Sequence, residues 1–392
     1  FIFNKKVFND PVIRNHQKEI HINNAHENNL KNINIKIPLE CLVVVTGVSG
    51  SGKSTLIKQI LYPAIAKVLD KKYDNEGKYD SIEGDINTLK NIEIVDQNPI
   101  GRSSRSNPAT YSKAYDGIRK IFAQEGEKID SQIKPSDFSF NVDGGRCDDC
   151  LGEGVKKIEM QFMADLFLEC SACKGKRFKK NILEVKHNGK NIHDVLELTI
   201  EQAIQFFSSA STILKKLKPM FDVGLGYLRL GQSSSTLSGG EAQRLKLASY
   251  LIEEKSPQNN SLYIFDEPTS GLHNKDIAYF MSSISRLIDM GNSVVIIEHN
   301  TELIKQADWI IDMGPEAGTY GGEIVAEGNL KAIYQSESLT AKYLRNEISI
   351  PKPSRRRKSK YKISLIGNRE NNLKNIDVSF SRFMVSKSLI IN

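Results

Sequence analysis

The chain has 392 residues, 39% of them hydrophobic and 26% charged, and a net charge of +7. That balance suits a water-soluble protein of two or three domains, and no apolar run approaches the length that spans a bilayer, so the reading is a cytoplasmic chain with no membrane partner. The opening Phe1-Ile2-Phe3-Asn4-Lys5 has neither a signal-peptide core nor an initiating Met, and a fragment of a longer protein is expected.

In chain order, residues 20–37 alternate polar and apolar side chains, as in Ile33-Asn34-Ile35-Lys36-Ile37, and predict strands. Cys41-Leu42-Val43-Val44-Val45-Thr46 has the unbroken apolar character of a strand buried in a parallel sheet. A Gly-rich turn follows, then a helix over residues 54–61 that Pro63 is expected to end or kink near Tyr62. Two more buried strands are predicted at 261–265 and 293–297, which makes the core α/β with a mostly parallel sheet. The long stretch between, with a helical segment around 199–217, reads as an insertion outside that sheet.

An internal repeat brackets this module. Glu27-Asn28-Asn29-Leu30-Lys31-Asn32-Ile33 recurs as Glu370-Asn371-Asn372-Leu373-Lys374-Asn375-Ile376. The basic segment containing Arg355-Arg356-Arg357-Lys358 reads as a linker between the copies. The expected division is an incomplete N-terminus (1–19), the first part of the core (20–97), and an inserted domain (98–236) holding a metal module at about 141–182. The second part of the core (237–340), a linker (341–362) and the truncated start of a second module (363–392) follow.

Gly47-Val48-Ser49-Gly50-Ser51-Gly52-Lys53-Ser54 fits the phosphate-binding pattern G-x-x-x-x-G-K-[ST], with a strand before it and a helix after it. Its glycines let backbone N–H groups curl round phosphate oxygens. Lys53 places a charge near the β- and γ-phosphates, and Ser54, with Thr55 beside it, offers hydroxyls toward Mg²⁺. Asp266 and Glu267, at the end of the second predicted strand, complement it: Asp266 for Mg²⁺ and Glu267 to polarise the attacking water. ATP and Mg²⁺ are the implied ligands.

Cys147 and Cys150 form one C-x-x-C pair, and Cys170 and Cys173 another, at a spacing suited to a structural Zn²⁺ with four thiolates. Gly152 and Gly175 allow the tight knuckles such a site needs. Lys156, Lys157, Lys174, Lys176, Arg177, Lys179 and Lys180 surround it, with Phe162, Phe167 and Phe178 interleaved. That face suits nucleic-acid phosphates, and a plain solvated surface is the competing reading.

Leu237-Ser238-Gly239-Gly240-Glu241-Ala242-Gln243-Arg244 resembles the signature motif of ABC ATPases, in which Ser238, Gly239 and Gly240 would cap a triphosphate held by an opposing module. By the same resemblance Gln97 is the Q-loop glutamine, 270–273 the D-loop and His299 the switch histidine. Longer stretches narrow the family: Asp96-Gln97-Asn98-Pro99-Ile100-Gly101-Arg102, the 138–147 entry to the cysteine module, Leu230-Gly231-Gln232-Ser233, and Asp312-Met313-Gly314-Pro315-Glu316. These resemble the UvrA family, specifically its second cassette. The resemblance implies an ABC-type P-loop ATPase core with an inserted helical signature domain and a Cys₄ zinc module. It also implies damaged duplex DNA as partner, a second cassette or a homodimer, and UvrB, with a role in nucleotide excision repair. Arg102, Arg105, Arg119 and Lys120 become candidate phosphate contacts. The competing expectation is a UvrA-like resistance protein that binds a drug and has no repair role, since 54–237 has no room for the UvrB-binding insertion of the family's first cassette.

Overall fold

The computed structural model describes residues 14–96, 98, 105–158, 160, 166–252, 260–270, 272–349, 351, 361–370 and 372–381. They fall into two units, residues 1–344 and 345–392.

The centre of the first unit is a six-stranded sheet in the order β11-β10-β3-β9-β8-β5. Its members are β3 (Leu42–Gly47), β5 (Asn91–Val95), β8 (Ser261–Asp266), β9 (Ser293–Ile297), β10 (Trp309–Gly314) and β11 (Glu323–Gly328), parallel except for β11. The unbroken apolar runs follow from burial on both faces, because successive side chains of a strand point to opposite sides. Val43, Val45, Leu262, Ile264, Val295 and Ile297 enter one core; Leu42, Val44, Tyr263, Phe265, Val294 and Ile296 enter the other. The first core is closed by an antiparallel sheet of β2 (Ile33–Pro38), β1 (Glu19–Ala25) and β4 (Ser81–Gly84), where Ile20, Ile22, Ile35 and Ile37 are buried.

The helix after the Gly-rich turn does not stop at Pro63. A π-helical stretch, Thr55–Leu61, runs directly into α1 (Tyr62–Val68), with Pro63 in its first turn. A proline inside a helix orphans the carbonyl four residues back. Here the Gln59 carbonyl accepts instead from the Gly77 N–H at 2.7 Å.

Among the described residues, 105–237 contribute no strand to the central sheet. They carry α2 (Pro108–Tyr111), α3 (Ala114–Glu127), the hairpin of β6 (Val155–Ile158) and β7 (Leu166–Glu169), α4 (Lys180–Glu184), α5 (Ile192–Leu196), α6 (Ile200–Phe206) and α7 (Ser211–Met220). The helical segment expected at 199–217 is thus two helices, each with its own start. Thr199 caps α6 through its hydroxyl, accepting the Gln202 N–H at 3.2 Å. Two longer helices, α8 (Gly239–Ile252) and α9 (Asn274–Asp289), return the chain to the second core, followed by α10 (Thr301–Ile304), α11 (Leu330–Gln335) and α12 (Leu339–Leu344). Among the described residues no helix is long and apolar enough to cross a membrane.

The second unit holds an antiparallel pair, β12 (Lys362–Asn368) and β13 (Ile376–Ser381). The repeat is legible in its pairing: β1–β2 shifts register between Ile22 and Ala25, and β12–β13 shifts at the matching place, between Leu365 and Asn368.

Candidate functional site

The Gly-rich turn leaves β3 at Gly47, whose φ is +127° and where a Cβ would lie 1.9 Å from the Met313 carbonyl oxygen. Gly50 and Gly52 also have positive φ, so the turn is held in a form that L side chains resist. Its outer side is clamped by the loop between β10 and β11. Gly318 N–H donates to the Gly50 carbonyl and Gly322 N–H to the Ser51 carbonyl, each at 3.0 Å, while Asn29 Nδ2 donates to the carbonyls of Gly50 and Gly318 at 3.1 Å. With those carbonyls occupied on one side, the turn wraps an open cavity of about 200 Å³ lined by Ser49, Gly50, Gly52, Lys53, Ser54, Thr55, Glu267 and His299, among others. Sequence-distant Glu267 and His299 thus meet the turn, with His299 Nε2 3.6 Å from Glu267 Oε1.

Lys53 is buried, and its Nζ donates to the Gly47 and Val48 carbonyls at 3.0 and 2.7 Å. Burial lowers its pKa by desolvating the ammonium, and an anion beside it would favour the charged form again. Asp266, at the end of β8, pairs with Lys58 at 2.5 Å. Ser54 and Asp266 offer a hydroxyl and a carboxylate, the hard oxygen donors that suit Mg²⁺.

A second, separate cavity of about 360 Å³ is lined by Tyr227, Ser238, Gly239, Gly240, Glu241, Arg244, Ser270, Leu272 and Asp276. Ser238 caps α8: its Oγ accepts the Glu241 N–H at 3.3 Å while Glu241 Oε2 accepts the Ser238 N–H at 2.8 Å, a reciprocal capping box. The N-terminal end of this helix, with its positive potential, therefore faces the cavity. Burial and the hydrogen bond to Glu241 push the Tyr227 hydroxyl up to about 12, so it stays a neutral donor.

The four predicted ligands Cys147, Cys150, Cys170 and Cys173 have sulfurs all within 4.8 Å of one another, with Cys150 and Cys173 at 3.6 Å. A tetrahedral zinc with Zn–S bonds of about 2.3 Å needs sulfurs roughly 3.8 Å apart, so the set fits Zn²⁺ with no position left open. Gly152 and Gly175 have φ of +83° and +71°, as the knuckles require, and Gly154 N–H donates to Cys150 Sγ at 3.3 Å. Cys41 lies elsewhere, its thiol pushed up to about 12 by burial.

The basic face around these cysteines is narrower than expected. Arg177 is turned inward, over the Phe140 ring at 5.7 Å and donating to the Gly231 carbonyl at 3.0 Å. Phe178 is buried against Phe140, while Phe167 is exposed and Phe162 lies outside the described residues. Lys156 and Lys179 pair with Asp149 and Asp148. Arg105 and Arg119 pair with Glu153 and Asp116. What does stand out is the β6–β7 hairpin, on which Ile158, Leu166, Phe167 and Leu168 are exposed beside Lys156 and Lys157.

No protein-family model matches the chain. The UvrABC system protein A of Clostridium perfringens is 52% identical over 327 residues, which is 83% of this chain and 34% of that protein. That of Staphylococcus aureus (strain COL) is 51% identical over 329 residues, covering 84% and 34%. The crystal structure of UvrA2 from Deinococcus radiodurans matches with a TM-score of 0.78 at 42% identity, covering 86% of this chain and 40% of that one. The chain is UvrA-like. It spans about a third of the length of the curated relatives it matches. The fold of this UvrA-like cassette is that of an ABC-type ATPase core with a four-cysteine module.

Three residues of the UvrA-like cassette that sequence reasoning passed over shape its site. Lys58 is the partner of Asp266. Gln243, fully buried in α8, donates through Nε2 to the carbonyls of Val95 (3.2 Å) and Asp266 (2.8 Å), at the ends of β5 and β8. Glu298, also buried, accepts hydrogen bonds from Thr269, His299 and Asn300. Gln243 stands within the signature stretch, and Glu298 directly follows the apolar run of β9. Gln97, Arg102 and Gly271 lie outside the described residues.

Proposed function

We propose that this cassette binds ATP with Mg²⁺, hydrolyses it when a second cassette or a second copy closes over it, and uses the cycle to hold damaged DNA in nucleotide excision repair. One observation carries the reading: a single module has a phosphate loop with Glu267 and His299 on its rim and, in a different cavity, a signature helix start. Each is half of a triphosphate site, and the halves complement one another only across two modules.

Within the first cavity, N–H groups of residues 49–54 surround the phosphates, and Lys53 exchanges its own-loop carbonyls for phosphate oxygens. Ser54 and Asp266 would hold Mg²⁺, with Thr55 beside them, and the ion supplies neutralising charge on the phosphates. Glu267 orients the attacking water and takes its proton, and His299 contacts the γ-phosphate. Ser238, Gly239 and Gly240 close the partner's site with backbone N–H groups and the α8 dipole. Cys147, Cys150, Cys170 and Cys173 would hold Zn²⁺ in a structural role at the base of the β6–β7 hairpin, whose lysines suit DNA phosphates and whose apolar side chains suit an unstacked, deformable duplex. Loading of UvrB belongs, on this reading, to the assembled protein.

The test is titration with a fluorescent ATP analogue, ATP turnover, and DNA retention over a salt series. Saturable nucleotide binding and DNA affinity that falls steeply with salt are expected. A chain that binds no nucleotide, or whose nucleotide binding is untouched by Lys53→Ala, overturns the proposal.

A further inference from the structure

We infer that Glu298 is a positioning residue that couples the two phosphate-facing cavities of one cassette; this rests on the function proposed above. The two cavities share no lining residue, but the turn after β8 reaches both: Glu267 lines the first, Ser270 and Leu272 the second. Glu298 holds that turn against the loop carrying His299. Its Oε1 accepts the Thr269 N–H at 2.9 Å and the Thr269 hydroxyl; its Oε2 accepts the His299 N–H at 2.6 Å and the Asn300 N–H at 3.0 Å. Four donors thus converge on one carboxylate that is 4% exposed, and among the described residues no cation pairs with it. Its charge is balanced by oriented dipoles belonging to two loops, so neither loop moves without loosening the other.

Both ends of the tie reach chemistry. Thr269 immediately precedes Ser270 on the signature side. His299 is the residue 3.6 Å from Glu267 on the phosphate-loop side. Displacement of Ser270 by an incoming partner would therefore be felt at the His299 backbone through a single side chain. Ionised glutamate alone accepts on both oxygens. A glutamine must turn an NH₂ toward two N–H groups or toward Thr269, and one loop is released.

The test uses the full chain under conditions in which the wild type turns over ATP. Glu298→Gln is expected to lower kcat by about tenfold while the affinity for a fluorescent ATP analogue stays within about twofold, the pattern of lost positioning rather than lost binding. Thr269→Val keeps the backbone donor and removes the hydroxyl; it should lower kcat by roughly threefold with the same unchanged affinity. Amide exchange at Thr269, His299 and Asn300 should rise together in Glu298→Gln. Unchanged kcat in both variants overturns the inference alone. So does a loss of affinity and thermal stability in step with kcat in both. A wild-type chain that neither binds nor hydrolyses ATP overturns the proposed function, and this inference with it.

Discussion

Replacing Gly322 by Ala tests whether the β10–β11 loop shapes the phosphate turn. Gly322 has φ +86°, and a Cβ there would lie 1.7 Å from the Asn29 carbonyl oxygen and 2.6 Å from its carbon. An L side chain in this left-handed region costs about 1–2 kcal/mol. The overlap is with backbone atoms, so the loop must shift, breaking the Gly322 N–H bond to the Ser51 carbonyl and the Lys31 N–H bond to the Gly322 carbonyl, both 3.0 Å. At about 1 kcal/mol each, the total destabilisation comes to roughly 3–4 kcal/mol. Gly318→Ala is the control: φ is +60° but nothing lies within 4 Å of the added Cβ, so only the conformational cost of about 1–2 kcal/mol applies. Urea melts of the two variants give the difference. Titration with an ATP analogue should show Gly322→Ala binding about tenfold more weakly, equivalent to about 1.4 kcal/mol of lost preorganisation. Equal melts for the two variants, or wild-type affinity in a destabilised Gly322→Ala, would refute the clamp.

Glu267→Gln should abolish turnover, by about a hundredfold or more, while leaving nucleotide binding intact, as single-turnover assays can show. Chelation, or Cys173→Ser, should release one zinc per chain, measurable with a metallochromic dye, and open the 147–178 segment to protease, because metal binding and the folding of its four-thiolate site are coupled. Burial raises the Asp312 pKa above its ordinary value, so the folded state holds that proton more tightly than the unfolded chain. The stability contributed is present at acid pH and lost as pH rises through the folded pKa. Asp312→Asn should therefore gain on the wild type in thermal melts at neutral pH and lose that advantage as pH falls toward about 4.

The phosphate loop, the acidic pair, the signature turn and the cysteine pairs were legible because each is local: strand, turn and helix start lie within a dozen residues. The doubly buried strands were equally plain from runs such as Leu42–Val45 and Val294–Ile297. What escaped was long-range. Nothing near Pro63 announces that Gly77 takes up the Gln59 carbonyl. Lysine and arginine counts around the cysteines could not reveal that Arg177 faces inward or that Asp148 and Asp149 engage two of the lysines. Glu298 belongs to no motif and Gln243 stands in the signature stretch with no role of its own there; their contacts appear only once β5, β8 and β9 lie side by side. The break between α6 and α7 was written in Ser208 and Ser209 after Phe207, but the apolar periodicity across 199–217 masks it.

Gln243 has one last implication. Its amide pins the signature helix to the tips of two neighbouring strands, one of which ends in Asp266. On the proposed function, the cap and the phosphate loop of one cassette would then share the sheet as a common chassis, which would set their spacing. Two such bodies would have to meet as whole blocks, mating at both ends at once or at neither, so that a substitution loosening this bolt would show itself first as lost synchrony between paired sites.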